Sequence, residues 1–142
     1  MAGQTIDLGN GARLYVISAP TQENGPNADS VVIKLTMGRA SFLLTGDIGS
    51  SGEAALIRSG ADLRATVYKV PHHGSATSST GEFVSAVGPL VDVISVGRDN
   101  RFGHPSPEVL DRLDGHAVFR TDLRGDIAVS TDGRRLWIET AR

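Results

Sequence analysis

The sequence contains no cysteine, which excludes disulfide bonds and thiolate metal ligands. Aromatic residues make up only 5% of the chain, whereas glycine occurs 17 times, and this balance favours strands joined by tight turns. The formal net charge of -2 predicts no general attraction to polyanions. No apolar run approaches the roughly 20 residues that cross a bilayer, and no signal-peptide pattern opens the chain. The 142 residues therefore predict one globular domain, or part of one.

Apolar alternation and turn residues divide the chain into strands and about three helices. The predicted strands are Gln4–Leu8, Ala12–Ser18, Ser30–Met37, Ala40–Leu44, Ala65–Val70, Val91–Val96, Ala117–Arg120, Asp126–Ser130 and Leu136–Thr140. The polar stretch Ala19 to Asp29 is predicted to be a loop. Helix starts are predicted at the capping-box patterns of residues 50–53 and 79–82 and at Ser106-Pro107. This order predicts a layered α/β fold with mixed pairing, in which the terminal hairpins form a second sheet.

Ligand-type side chains follow three successive predicted strands. Asp47 ends one apolar run, the pair His72-His73 ends the next, and His104 follows the third. Loops at the carboxyl ends of strands in α/β folds carry ligand sites. Carboxylate and neutral imidazole are the donors of hydrolytic zinc or manganese sites, so the three loops predict a metal site.

Each of these residues also has a purely structural interpretation. Asp47 is either a metal ligand or a residue that bonds helix amides in a connecting turn. Adjacent side chains on extended backbone point to opposite faces. One histidine of the pair is therefore expected to bind metal, with His73 favoured, while His72 bonds a neighbour or the substrate. Two exposed loop histidines are the alternative.

A phosphate-holding loop is predicted around His104, which precedes a helix start. Asn100 and Arg101 lie in the same loop, and the Ser75 hydroxyl is expected to face an anion from the neighbouring one. A plain surface loop explains the same residues. His116, at a helix end, is predicted to be a surface residue.

The number of ligands limits what the chain can do alone. A hydrolytic metal site commonly needs three protein ligands, and a two-metal site needs more. The sequence offers Asp47 with one or two histidines, and it contains no His-x-His or Asp-His pair. We therefore expect this chain to carry only part of a site.

These motifs resemble the metallo-β-lactamase fold, and specifically the C-terminal hydrolase-like domain of the ComEC family of bacterial DNA-uptake proteins. The matching segments are residues 27–35, 41–47, 69–75, 94–97, 100–107 and 120–122. The resemblance implies the second half of an αβ/βα sandwich, with residues 1–142 as one partial domain. It also implies that Asp47 is the bridging aspartate and that the histidine pair holds the late histidine ligand. The family's earlier histidine has no counterpart in Asn27-Ala28-Asp29.

The resemblance implies that the parent protein is a metal-dependent nuclease of the bacterial cytoplasmic membrane that acts on DNA with Zn or Mn. The isolated fragment is expected to be soluble and inactive, with His72 and His104 as catalytic groups once the missing N-terminal half is present. A non-catalytic module that binds DNA or protein is the rival interpretation, and a receiver-like domain is a third. Because an absent half would leave apolar side chains exposed, from Ile33, Leu35, Leu43 or Val67, we also expect a homodimer or domain swap.

Overall fold

The structure is a computed structural model that describes residues 3–18 and 30–142. The loop predicted at 19–29, and with it the motif residues 27–29, lies outside the described residues. The strands are β1 Thr5–Gly9, β2 Ala12–Ser18, β3 Val31–Met37, β4 Ala40–Leu44, β5 Val67–Lys69, β6 Val91–Ile94, β7 Ala117–Arg120, β8 Ile127–Thr131 and β9 Leu136–Thr140. The helices are α1 Ser50–Arg58, α2 Gly81–Val87, α3 Pro107–Arg112 and the single turn α4 Thr121–Arg124.

Seven strands form one mixed sheet in the order of the chain, from β1 to β7. The pairs from β1 to β4 are antiparallel, and those from β4 to β7 are parallel. Each parallel connection contains one of the helices α1, α2 and α3, as expected for crossovers between parallel strands. Because the pairing changes from antiparallel to parallel at β4, the carboxyl ends of β4, β5 and β6 lie at one edge of the sheet.

One face of the sheet carries the core. Leu43 and Tyr68 are paired in register on neighbouring strands and are fully buried. They belong to the same apolar cluster as Leu56 of α1, Phe83 of α2 and Val109 of α3, so the three helices cover this face.

The predicted start of α3 at Ser106 is confirmed, whereas α2 begins one residue later than the capping box at 79–82 predicts, with Thr80 instead of Ser79 as its N-cap. The side chains of Thr80 and Ser106 accept hydrogen bonds from Phe83 and Val109, so they cap α2 and α3. The capping box predicted for α1 is wrong, although the helix begins at Ser50. Its N-cap is Gly49, which has no side chain to accept a bond, and the Glu53 carboxylate bonds the Ser79 and Thr80 amides instead of the N-cap amide.

The two terminal hairpins behave differently. The first hairpin, β1 and β2, extends the large sheet, so the prediction that it belongs to a second sheet is wrong. The last hairpin does form a separate two-stranded sheet, β8 and β9. The Arg39 amide donates to the Gly133 carbonyl over 2.7 Å, which joins this hairpin's turn to the β3–β4 turn. A Cβ at Gly38 would lie 2.3 Å from the same oxygen, so the contact requires glycine there.

The sheet face opposite the helices is only partly covered. Ile33 and Leu35 lie on this face and are half-buried, and Leu44 is 37% exposed although β4 is a central strand. The expected exposure of Leu43 and Val67 is wrong. Leu43 faces the helices, while Val67, at 4% exposed, lies in a covered part of the outer face. No helix among residues 3–18 and 30–142 is long and apolar enough to span a bilayer.

Candidate metal and nucleic-acid site

Three loops meet at the carboxyl ends of β4, β5 and β6. The His72 amide donates to the Gly46 carbonyl over 3.2 Å, which joins the second loop to the first. The Ser106 amide donates to the Gly74 carbonyl over 2.9 Å, which joins the third loop to the second. The predicted convergence of the three loops is therefore present, and main-chain hydrogen bonds hold it.

The histidine pair does not lie on extended backbone. Residues Pro71–Gly74 form a 3₁₀ turn in which His72 and His73 have φ values of 49° and 56°. Such left-handed backbone costs on the order of 1–3 kcal/mol per non-glycine residue, and it clusters at functional sites. The premise of extended backbone is wrong, but the two imidazoles still have separate partners.

Asp47 and His73 face each other across two loops. His73 Nε2 lies 3.7 Å from Asp47 Oδ1, and both side chains are roughly half exposed. His73 Nδ1 is 2.6 Å from the Ser95 carbonyl. Since a carbonyl can only accept, Nδ1 carries a proton, and Nε2 is the ring nitrogen that faces Asp47. Metal-ligating histidines commonly have this arrangement, in which a carbonyl fixes the tautomer.

His72 is directed towards His104 instead. The two ring centroids are 5.9 Å apart in an edge-to-face arrangement, and the Phe102 ring stacks on His104 with a centroid distance that is also 5.9 Å. Burial, together with the charges of His72 and His73, lowers the pKa of His104 below its ordinary value. His104 is therefore a neutral imidazole at pH 7, able to accept or donate a proton.

The three residues predicted to bind substrate lie in different surroundings. Ser75 is buried and shares a 3.0 Å hydrogen bond with Thr77, so its hydroxyl does not face the open surface beside Asp47. The Asn100 side chain bonds the backbone of its own loop. Arg101 is exposed and is the member of this set that is free to reach an anion. All three assignments stay predictions.

Lys69 is a site residue that the sequence pattern did not reveal. It ends β5, donates from Nζ to the Val70 carbonyl over 2.8 Å, and lies within electrostatic reach of Asp47. Burial lowers its pKa, and the Asp47 charge opposes that shift. The signal for Lys69 was present, since an ammonium at the end of a parallel strand falls at the same sheet edge as the three loops.

Glu53 supports the histidine loop from behind. Its buried carboxylate accepts hydrogen bonds from the amides of Ser79 and Thr80, where the chain leaves that loop. Burial raises the pKa of Glu53, and these amides act in the opposite direction. Ser79 has a φ of 53°, so the carboxylate holds a strained backbone in place.

His116 is not a plain surface residue. Its Nδ1 donates to Asp92 Oδ2 over 2.7 Å, and Asp92, in the middle of β6, is fully buried. The other carboxylate oxygen of Asp92 has no hydrogen-bond partner. Asp92 lies on the core face, in register with Tyr68, so this pair is separate from the Asp47 site.

The donors at the three loops fit only part of a metal site. Asp47 and His73 supply a carboxylate and an oriented imidazole, which are suitable ligands for zinc or manganese. Within residues 3–18 and 30–142, no group of three or more His, Cys, Asp or Glu side chains could hold an ion. A complete site therefore needs ligands from outside the described residues.

Comparison with known proteins gives several relatives. The chain is 39% identical over 103 residues to ComE operon protein 3 of Bacillus subtilis, which covers 71% of this chain and 13% of that protein. It is 40% identical over 102 residues to competence protein ComA of Neisseria gonorrhoeae, covering 70% and 15%. It is 37% identical over 118 residues to recombination protein 2 of Haemophilus influenzae, covering 82% and 15%. The chain thus spans 13–15% of the length of these relatives.

The fold is similar to that of solved metal-dependent hydrolases. A crystal structure described as a metal-dependent hydrolase from Parabacteroides distasonis aligns with a TM-score of 0.58 at 15% identity, covering 85% of this chain and 56% of that one. Tm1679, a metal-dependent hydrolase of the β-lactamase superfamily, aligns with a TM-score of 0.49 at 10% identity, covering 84% and 54%. No protein-family model matches the chain. The predicted fold class is confirmed, and at these identities the likeness shows the fold alone.

Proposed function

Because the chain belongs to the ComEC family of competence proteins, we propose that it forms the C-terminal half of a metal-dependent domain that hydrolyses phosphodiester bonds in DNA. The observation that supports the proposal is the Asp47–His73 pair, whose imidazole is held by the Ser95 carbonyl. Nothing in the core requires this pair, since both side chains are roughly half exposed. A carboxylate and an oriented imidazole placed at a surface are suited to binding an ion rather than to stabilising the fold.

The surrounding side chains fit hydrolysis of a phosphate ester. A divalent ion bound by Asp47 and His73 would supply Lewis-acid chemistry at the phosphate. His104 is kept neutral at pH 7, so it can take a proton from water or give one to a leaving oxygen after protonation. Arg101 is exposed on the same loop and offers charge to a phosphate. His72 lies edge-on to His104 and keeps that ring in position.

The missing ligands are proposed to come from an N-terminal half of the same domain. This chain aligns with 56% of the Parabacteroides structure, which leaves a further portion of that fold unmatched. The incompletely covered outer face of the sheet, with Leu44 exposed in a central strand, is where such a half would pack. We propose that the parent protein lies in the bacterial cytoplasmic membrane and that this chain alone is inactive.

The test is to join this chain to the segment that precedes it in the parent protein and to assay cleavage of labelled DNA with Mn²⁺ or Zn²⁺. We expect cleavage by the joined protein, none by the chain alone, and loss of cleavage in Asp47→Ala. Asp114→Ala, which removes an exposed carboxylate after α3, is the matched control and should keep full activity. Cleavage that survives Asp47→Ala would contradict the proposal.

A non-catalytic module that binds DNA or protein is the second proposal. It is favoured by the absence of a third ligand within residues 3–18 and 30–142. The same assay separates the two, because a binding module would retain DNA in a gel-shift measurement without cleaving it. A preceding segment that contains no cluster of His and Asp would also favour the binding module.

A further inference from the structure

We propose that Phe102 is a stacking platform for a nucleobase of single-stranded DNA, next to the phosphate that the site acts on; this rests on the proposed function. The proposal adds a specificity residue that contacts the base, whereas the side chains described above contact the phosphate. The evidence is the position of one aromatic ring, its exposure to solvent and the hydrogen bonds of the loop that carries it.

Phe102 is the outer member of a row of three rings. His72 lies edge-on to His104, and Phe102 stacks on His104 with an interplanar angle of 21°. The three rings therefore connect His72, in the histidine loop, to the exposed ring of Phe102. A base on the free face of Phe102 would continue the row, with the attached phosphate towards the three loops.

Phe102 is 81% exposed, although burial of a phenylalanine side chain is strongly favourable. The loop that exposes Phe102 has hydrogen bonds of its own. Asn100 Nδ2 donates to the Gly97 and His104 carbonyls, and its Oδ1 accepts from the His104 amide. The loop backbone is thus closed by hydrogen bonds on both sides of Phe102.

The surroundings of the ring favour a nucleic acid over a protein or a membrane. Arg98, Asp99 and Arg101 are exposed in the same loop, so Phe102 is a single apolar group among charged neighbours along the chain. Protein and membrane contacts use larger continuous apolar patches. An exposed ring in a loop that carries two arginines fits the way proteins bind single strands, in which bases stack on aromatic side chains and phosphates meet arginine.

The test measures binding of a short oligothymidylate to this chain by fluorescence anisotropy. The matched probe is the same strand with abasic sites in place of the bases. We expect Phe102→Ala to weaken oligothymidylate binding by about 5- to 150-fold, since stacking contributes about 1–3 kcal/mol per base. Binding of the abasic strand should not change. Phe102→Tyr should keep the affinity, and Leu90→Ala, at another exposed apolar residue, should have no effect.

A second readout places the base on the ring directly. In a Trp137→Phe background, Phe102→Trp leaves a single tryptophan, because the natural chain has one. Oligothymidylate should quench its fluorescence and the abasic strand should not. Equal effects on both strands, no detectable binding of oligothymidylate, or Phe102-dependent binding to phosphatidylserine vesicles instead of oligothymidylate would overturn the inference.

The outcomes also separate this inference from the hydrolase proposal. Base-dependent binding with no cleavage by the joined protein would support stacking and contradict the hydrolase. Cleavage of single strands that is unchanged in Phe102→Ala, with no base-dependent binding, would support the hydrolase and overturn stacking.

Discussion

The Nδ1 atom of His73 lies 2.6 Å from the carbonyl oxygen of Ser95, which directly follows the last residues of β6. This bond fixes both the tautomer and the direction of the ring, so that Nε2 faces Asp47 from 3.7 Å. The pair is therefore arranged before any ligand arrives, although it comes from two different loops.

Metal binding by the isolated chain should be weak. With two protein ligands we expect dissociation constants for Zn²⁺ and Mn²⁺ above about 1 μM. This limit corresponds to a favourable binding free energy of less than ~8.2 kcal/mol. Complete structural zinc sites reach about 10–16 kcal/mol. Asp47→Ala should reduce the remaining binding below detection in isothermal titration calorimetry, and Asp114→Ala should leave it unchanged. Sub-micromolar binding would show that the chain carries a more complete site.

Substitution of Gly74 should separate close packing from backbone strain. An alanine Cβ at Gly74 would lie 2.6 Å from Pro105 Cβ, on backbone with a φ of 83°. Gly115 has a similar φ of 87° but open space around it, so Gly115→Ala measures the strain alone. We expect Gly115→Ala to lower the free energy of unfolding by about 1–3 kcal/mol. Gly74→Ala should lower the free energy of unfolding by about 1–3 kcal/mol more than Gly115→Ala does. Equal losses in urea unfolding would contradict the contact between the two loops.

The buried Asp92 should make stability depend on pH. Burial raises the pKa of Asp92, and the hydrogen bond from His116 opposes the shift. A raised folded-state pKa gives stability that is fully present below the unfolded value, near 3.9, and is lost as pH rises through the folded value. The free energy of unfolding of the natural chain, minus that of Asp92→Asn, should therefore fall as pH rises from below the unfolded pKa of Asp92 through its raised folded pKa. Urea unfolding at several pH values measures this difference.

Asp62→Asn is the control of opposite sign for this measurement. The Lys34 ammonium, 2.7 Å away, lowers the pKa of Asp62. A lowered folded-state pKa gives stability that is present above the unfolded value and is lost as pH falls. The corresponding difference for Asp62→Asn should then rise with pH, by a small amount because Asp62 is exposed. Slopes of the same sign for both variants would contradict the assignment for Asp92.

The open face of the sheet should cause self-association. Val31 and Leu44, 53% and 37% exposed, lie on this face. We expect sedimentation velocity to show dimers whose fraction rises with concentration, and Leu44→Lys to shift the chain towards monomer. Leu90→Lys changes a leucine that is 69% exposed before β6, outside this face, and should leave the equilibrium unchanged. A monomer at every concentration would refute the expectation.

Local patterns were sufficient for most strands and for the three loops, because alternation and turn residues act within a few positions. Glu53 shows where they fail. Its spacing from Ser50 fits a capping box, but its carboxylate bonds the amide of Ser79, 26 residues away. A local signature cannot distinguish these two outcomes, since only the packing of α1 beside α2 decides between them. The left-handed backbone of His72 and His73 was likewise unpredictable from local pattern, because the His72 amide bonds the Gly46 carbonyl of another loop.

The order of the seven strands has a consequence for biosynthesis. Every strand from β1 to β7 lies beside the strand that precedes it in the chain. The antiparallel hairpins close short turns at a small entropic cost, whereas each parallel pair closes a longer crossover that contains a helix. Each newly emerging strand can thus add to an edge that is already present at the ribosome, and the sheet can assemble stepwise during translation.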